Sequence, residues 1–360
     1  MERKRYSHID LLETIAIFFV IMYHSTLYVF DITESGTMLN YARYFARTIL
    51  STCVPLFFFA NGYLLFNRNF DLKRHIKKTF RLVVLVFVWG VILMPIYMLI
   101  SGEAFSVKVF LLSIFNLSIP WGMNLFWFIG ALVCMYLLFP ALKASYDTDR
   151  RAFLFFTLAC FALTFGFVAG NQFLEFTGMV LHHKFTSMNY SILTMYNPFR
   201  GSYGYSFVYF CVGGLLYTYE NKILQIPRRK RNCLAVAGMM LSCSFLFLIG
   251  VFYSKYYDGK MWDVVWNGYD TIFTFINVIC IYVLCLSYNG KNKYITAISV
   301  NTLGIYFTHG LIIRLTRPWM KTIPALCNYT VNLLYAFFIL CICLLICILI
   351  KKIPLLKKLV

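Results

Sequence analysis

The sequence predicts an all-α, polytopic integral membrane protein with about ten transmembrane helices in a single membrane-embedded domain, residues 1–360. Of its 360 residues 61% are hydrophobic and only 13% are charged, and the mean hydropathy is +0.72. A transmembrane helix needs roughly 20 mostly apolar residues. Such runs lie near residues 9–30, 46–66, 82–101, 124–142, 153–170, 203–219, 233–253, 270–288, 296–316 and 329–350.

The ends of the runs also fit membrane helices. The first run follows a basic N-terminus as a signal peptide does, but it carries Asp10 and Glu13 and lacks a clear cleavage site, so we expect it to be retained. Tyr and Trp lie near many run ends, where amphipathic rings suit the lipid–water boundary. The long outer segments 102–123 and 171–202 contain apolar stretches typical of interfacial or re-entrant helices.

The basic residues predict the orientation of the chain. The net charge is +19, and 23 of the 33 Lys and Arg fall in the alternate connections on one side, against 10 on the other. Because basic residues concentrate in cytoplasmic loops, we expect the richer side and both termini to be cytoplasmic. This distribution favours a multi-pass protein of the plasma membrane, with lipid and not nucleic acid as its surroundings.

The twelve cysteines do not form a recognisable framework. Most lie inside the predicted helices, Cys327 is the one expected in an outer loop, and no CxxC occurs. The sequence therefore predicts neither a disulfide network nor a zinc site. His182 and His183 lie in an outer loop without a carboxylate or Cys at ligand spacing, so we expect them to be solvated and predict no metal.

Four ionisable residues lie within predicted spans: Asp10, Glu13, His24 and His309. Such residues are costly in lipid, and each one is a functional hypothesis. With the N-terminus inside, His24 lies about fifteen residues up the first span and His309 about thirteen residues up the ninth, which runs in the same direction. The histidines are therefore expected at a similar depth in the outer half of the membrane.

Two interpretations of this arrangement remain open. The histidines can share a polar cavity, with one as general base and the other binding or orienting a substrate. Alternatively, each one hydrogen-bonds a neighbouring helix as polar residues do in membrane bundles. Asp10 and Glu13 lie nearer the inner boundary, where a carboxylate costs less.

A dense basic cluster follows the second run, between Lys73 and Arg81. It is typical of a topology signal that also attracts anionic lipid. It also fits a cytosolic phosphate-binding site for a nucleotide or coenzyme A, because Lys and Arg neutralise phosphate charge.

Several segments, in order along most of the chain, resemble the membrane-bound type 3 acyltransferases, which include bacterial O-acetyltransferases of surface polysaccharides. In that family the first helix carries an Asp, then an Arg, and a His after ten further residues. The matching segments are Ile9–Glu13 with Val20–His24, Val54–Leu65, Leu125–Phe128 with Tyr136 and Pro140, Gly213–Gly214, and Asn301–Gly310.

The resemblance implies an enzyme with His24 as its catalytic residue, as general base or as a covalent acyl carrier. Its donor is expected to be a cytosolic acyl-CoA, acetyl-CoA in particular, with no permanently bound cofactor. Lys78 and Arg81 match a basic motif that has Arg at both positions, and are expected to contact the coenzyme A phosphates. The expected substrate-binding or supporting residues are Asp10, Glu13, Asn61, Trp127 and His309.

Two residues depart from the family pattern. Glu13 stands where the first-helix Arg is usual, which reverses the charge, so the role of that Arg does not carry over. Asn61 stands where Ser is usual in the second helix, although an amide still donates and accepts hydrogen bonds.

The leading hypothesis is an O-acyltransferase, most simply an O-acetyltransferase, acting on a hydroxyl of a cell-surface or exported polysaccharide or its lipid-linked precursor. By the resemblance, its setting is a bacterial plasma membrane. A glycan-precursor transporter or flippase also accommodates buried histidines. A third hypothesis is a catalytically silent partner of polysaccharide assembly proteins, which Glu13 supports.

Overall fold

The computed structural model describes residues 5–34, 36–102, 106–115, 126–181, 196–199, 201–256, 260–324, 328–354 and 356–357. The protein is 83% helical, and its described residues contain no strand. The helices are α1 (Ser7–Ser25), α2 (Met38–Thr48), α3 (Cys53–Phe66), α4 (Leu72–Ser101), α5 (Val107–Phe115), α6 (Phe126–Thr148), α7 (Arg150–Phe161), α8 (Phe167–Val180), α9 (Ser202–Leu224), α10 (Arg228–Tyr256), α11 (Ile272–Cys285), α12 (Lys293–Lys321) and α13 (Tyr329–Lys352).

Among the described residues, eight helical stretches are long and apolar enough to cross a membrane. The prediction of an all-α polytopic membrane protein is therefore confirmed. Of the ten predicted runs, 203–219 lies in α9 and 270–288 in the shorter α11, and neither is among the eight, which are Ser7–Ser25, Met38–Phe66, Leu72–Ile100, Phe126–Thr148, Arg150–Val180, Arg228–Tyr256, Lys293–Lys321 and Tyr329–Lys352.

Side-chain caps fix where several of these helices begin. Asp71 accepts a hydrogen bond from the backbone N–H of Arg74 at the start of α4, Asp149 caps α7, and Asn292 caps α12. Each oxygen satisfies a backbone donor that has no partner within its helix. The caps directly precede long apolar stretches, so the polar chain ends at a defined residue and the apolar helix begins.

The chain divides into two compact units. The first comprises Met1–Leu12, Phe30–Arg68 and Ala141–Gly290, and the second comprises Glu13–Val29, Asn69–Pro140 and Lys291–Val360. The chain passes from one to the other within α1 and within α6. Each unit is described separately, and a single domain over residues 1–360 stays a prediction.

In the first unit, α3 packs closely against α9 through glycines. A Cβ added at Gly62 would overlap the carbonyl oxygen of Phe210, and one at Gly213 would overlap the carbonyl oxygen of Phe59. Small residues let two membrane helices approach to backbone contact. The Gly213–Gly214 pair is therefore a packing requirement of this unit.

In the second unit, aromatic rings join α4, α6 and α12. Trp89 of α4 stacks on Phe307 of α12 with a 5.2 Å centroid separation, and Phe126 at the start of α6 lies 6.1 Å from the same ring. Phe128 contacts Tyr306 at 5.2 Å. These contacts hold the middle of α12, which carries His309, in a fixed rotational position.

Candidate active site

In the second unit, α12 and the second half of α1 run side by side in the same direction. Ser299 donates its hydroxyl to Oε2 of Glu13 at 2.7 Å, and the rings of His24 and His309 meet at 3.1 Å. The two contacts are about 16 Å apart along α1 and about 15 Å apart along α12, by the helical rise. The helices are therefore parallel and in register, and the expected placement of both histidines at one level is present.

The two histidines form a hydrogen-bonded pair. Nδ1 of His24 lies 3.1 Å from Nε2 of His309, and the ring planes are inclined by 29°. His309 is fully buried, whereas His24 is half-buried. The pair thus has one enclosed ring and one ring that a substrate can reach.

The contacts of the pair define which nitrogens carry hydrogen. Nδ1 of His309 lies 2.6 Å from the carbonyl oxygen of Tyr306, and a carbonyl oxygen only accepts, so this nitrogen donates. Nε2 of a neutral His309 then accepts the Nδ1–H of His24. The lone pair of His24 is consequently on Nε2, the nitrogen suited to taking a proton or attacking a carbonyl.

The chain that follows His24 is anchored to α12 and α13. Asn332 of α13 accepts a hydrogen bond from the backbone N–H of Leu27 at 2.9 Å, and Arg317 of α12 donates to the carbonyl oxygen of Thr26 at 3.0 Å. Asn332 is fully buried. These bonds satisfy backbone groups freed where α1 ends and fix the outer end of α1 beside the histidine pair.

Trp127 lies in the first turn of α6, between two residues that contact α12. Its neighbours Phe126 and Phe128 are buried against Phe307 and Tyr306, while Trp127 is partly exposed. On a helix, adjacent residues point about 100° apart. Trp127 therefore belongs to the same unit as the histidine pair, but no contact of its ring with either histidine is observed.

The basic cluster lies at the start of α4 in the same unit. Lys78 donates to the hydroxyl of Tyr136 at 2.9 Å, and Nε2 of His75 lies 2.7 Å from the Tyr136 carbonyl oxygen. Arg81 follows Lys78 by one helical turn. Tyr136 of α6 thus positions the cluster that the sequence predicts to bind phosphate.

A comparison with protein families decides the class of this protein. The family model described as an acyltransferase domain matches residues 6–352, nearly the whole chain. The chain belongs to the type 3 acyltransferase family. Comparison with curated proteins and with solved structures finds no match.

Family membership makes this protein a membrane acyltransferase, an enzyme that transfers acyl groups other than aminoacyl groups. The prediction of the family is confirmed. The match favours the enzyme over the transporter and the silent partner, since its model covers both the first helix and the helix that carries His309.

Two predicted site residues of this acyltransferase, Asp10 and Asn61, belong to the first unit. Asp10 pairs with Arg5 at 2.8 Å near the start of α1, and Asn61 of α3 donates to the carbonyl oxygen of Phe57 at 2.9 Å. These local contacts are what the structure gives for both. The structure brings together His24 with His309, Glu13 with Ser299, and Lys78 with Tyr136.

Sequence reasoning missed the residues that support the histidine pair. The carbonyl oxygen of Tyr306 is a backbone atom, and Asn332 and Arg317 act on backbone atoms of residues 26 and 27. None of these gives a residue-type signal, although a buried Asn in an apolar helix is a usable clue. It also missed a network in the first unit, where Tyr63 and Tyr282 donate to Glu220 beside His8.

Several other expectations have a limited outcome. Eleven cysteines of the described residues are free thiols, and no group of three or more potential metal ligands occurs among those residues. Cys327, His182 and His183 lie outside the described residues, as does much of the segment 171–202. The apolar stretch 109–115 forms part of α5.

Proposed function

We propose that this acyltransferase moves an acyl group, most simply acetyl, from cytosolic acyl-CoA to a hydroxyl of a surface or exported polysaccharide or its lipid-linked precursor. The observation that carries the proposal is the hydrogen-bonded chain from Tyr306 through His309 to His24, in a member of this family. It leaves the lone pair of the accessible histidine on Nε2.

The direct route uses His24 as a general base. The acceptor oxygen attacks the thioester carbonyl carbon, and Nε2 of His24 takes the hydroxyl proton as the C–O bond forms. The C–S bond then breaks, and the same proton passes to the leaving sulfur, so coenzyme A departs as a thiol. During this step His24 keeps its Nδ1–H bond to His309, which stabilises the imidazolium.

The covalent route starts from the same lone pair. Nε2 of His24 attacks the thioester, coenzyme A leaves, and the acyl-imidazole then passes its acyl group to the acceptor hydroxyl. Trapping of an acyl-enzyme after incubation with donor alone distinguishes this route from the direct one. Both routes need the same nitrogen of the same residue.

The donor and acceptor are assigned by their chemistry. Coenzyme A carries phosphates that Lys78 and Arg81 neutralise, and these residues lie at the basic end of α4, which the charge distribution assigns to the cytoplasm. The acceptor approaches from the outer side, where His24 lies. By this proposal the enzyme works in a bacterial plasma membrane, alongside the proteins that assemble the glycan.

The test is the His24→Ala substitution in cells that make the glycan. We expect normal insertion and abundance, because His24 is half-buried, and complete loss of the alkali-labile acyl increment in the mass of the glycan. Acylation at wild-type level in His24→Ala would exclude the catalytic assignment. Loss of the whole glycan on deletion of the protein, with no change in acylation, would instead indicate transport.

A further inference from the structure

The C-terminal helix α13 ends beside the basic cluster of α4. The positive charges of Lys351 and Arg81 are close enough to oppose each other. Two like charges held together cost free energy in the empty site. A bound anion removes that cost and adds charge-assisted hydrogen bonds, so such a pair is suited to phosphate.

Lys351 also contacts the helix that carries His309. Its ammonium donates to the carbonyl oxygen of Val300 at 3.5 Å, and this bond uses one of its three N–H donors. Val300 follows Ser299, which binds Glu13. The ammonium of Lys351 is therefore held at the basic end of the α1–α12 pair, directed toward the helices that carry the histidines.

We propose that Lys351 binds a phosphate of coenzyme A together with Lys78 and Arg81, so that α13 completes the donor site. The inference rests on the proposed function for its donor, and it adds a residue that the family resemblance does not assign. Lys351 of α13 supplies the third cation, opposite the two from α4.

The distance to the histidine pair fits this assignment. Val300 and His309 are nine residues apart on one helix, or about 14 Å along its axis. An extended pantetheine arm spans such a distance. A phosphate at Lys351 therefore allows the thioester to reach His24, past the Glu13–Ser299 contact that lies beside the route.

Lys352 provides a matched control. It is the next residue of the same helix end and is exposed. Lys351→Gln and Lys352→Gln change net charge and the positive-inside signal equally, so a difference between them reports the local role of Lys351.

The experiment measures the Kd of coenzyme A for the full-length protein in phosphatidylcholine nanodiscs, which contain no anionic lipid. We expect Lys351→Gln to weaken binding about tenfold, equivalent to about 1.4 kcal/mol, with Lys352→Gln unchanged and the charge-retaining Lys351→Arg close to wild type. An unchanged Kd in Lys351→Gln overturns the proposal and leaves anionic lipid as the partner of Lys351. An equal loss in Lys352→Gln or Lys351→Arg also overturns it.

Turnover separates this inference from the proposed function. With acetyl-CoA as donor, Lys351→Gln is expected to raise KM about tenfold at constant kcat, while KM for S-acetylpantetheine, which lacks phosphate, does not change. If the wild type binds coenzyme A through Lys351 yet transfers no acyl group, the inference holds and the proposed function fails. If transfer occurs and the Kd does not depend on Lys351, the reverse is true.

Discussion

At the scale of single residues, the two histidines have different roles because they differ in exposure and in partners. His309 is fully buried and donates to a carbonyl oxygen of its own helix, so it has no nitrogen left for a substrate. His24 is half-buried and has its lone pair on Nε2. His309 is therefore a positioning residue, and His24 is the residue that touches the reacting atoms.

The His309→Ala substitution tests this division of roles. Without the acceptor nitrogen, the Nδ1–H of His24 loses its partner and the ring is free to adopt the other tautomer. We expect kcat to fall about 10–100-fold, as for other residues that orient a catalytic group, with little change in KM for the donor. Steady-state kinetics of the purified enzyme with varied acetyl-CoA measure both.

The control is His309→Gln. Its side-chain carbonyl accepts from His24 and its amide donates to Tyr306, so this variant reproduces both hydrogen bonds. We expect it to recover a large part of kcat. If Gln and Ala are equally impaired, or if neither is impaired, the hydrogen-bonded pair does not orient His24.

The sequence located this pair but not its supports. Two ionisable residues in apolar helices, at equal depth in spans of the same direction, are enough to predict the meeting of His24 and His309. The carbonyl of Tyr306 has no such signal, because every residue has a carbonyl. The contact of Glu13 with Ser299 depends on helix rotation, which is set by packing and is not visible in the apolar composition.

At the scale of helices, long apolar runs predict spans well but not their internal breaks. A π-helical turn at Ala162–Gly166 joins α7 to α8, and a 3-10 turn at Ile49–Thr52 joins α2 to α3. Both occur inside stretches that remain long enough to cross the membrane. Hydropathy does not distinguish these turns, since they alter hydrogen bonding and not composition.

The contact between α3 and α9 gives a prediction at this scale. Gly62→Ala places a methyl group against the backbone of Phe210, which cannot move like a flexible side chain. Overpacking costs about 1–3 kcal/mol in a well-packed core, and we expect at least this loss. Thermal unfolding of the detergent-purified protein should show a lower Tm and a smaller monodisperse fraction.

Gly130 is the matched control for this prediction. It lies inside α6, and an added Cβ there meets nothing within 4 Å. Because Ala is favoured over Gly in a helix interior by about 1 kcal/mol, Gly130→Ala should leave Tm unchanged or raise it. A Tm for Gly62→Ala equal to that of Gly130→Ala would contradict the close approach of α3 and α9.

At the scale of the whole molecule, the distribution of charge and the number of crossings must agree. Alternate connections carry 23 and 10 of the Lys and Arg residues only if all ten runs cross. Eight of the corresponding helical stretches have the required length and apolarity. The orientation of the chain after residue 270 therefore depends on α11, whose 14 residues span only about 21 Å.

We expect α11 to cross nonetheless, because Lys291 and Lys293 follow it directly and are favoured in the cytoplasm. The flanking residues 286–288 and the 3-10 turn Trp266–Gly268 extend it toward the membrane boundaries. If it crosses, Lys260 and Lys291 lie on opposite sides of the membrane, and the histidine pair on α1 and α12 lies at a common depth in two helices that enter from the cytoplasm.

Fusions of alkaline phosphatase, which needs disulfides formed outside the cytoplasm, measure this directly in a bacterial host. We expect activity for truncated chains fused after Glu34 or Lys260, and none for fusions after Lys291 or Val360, at equal abundance on immunoblots. Activity after Lys291 would show that α11 does not cross. In that case α12 would enter from the outer side, antiparallel to α1, which the paired contacts Glu13–Ser299 and His24–His309 do not allow.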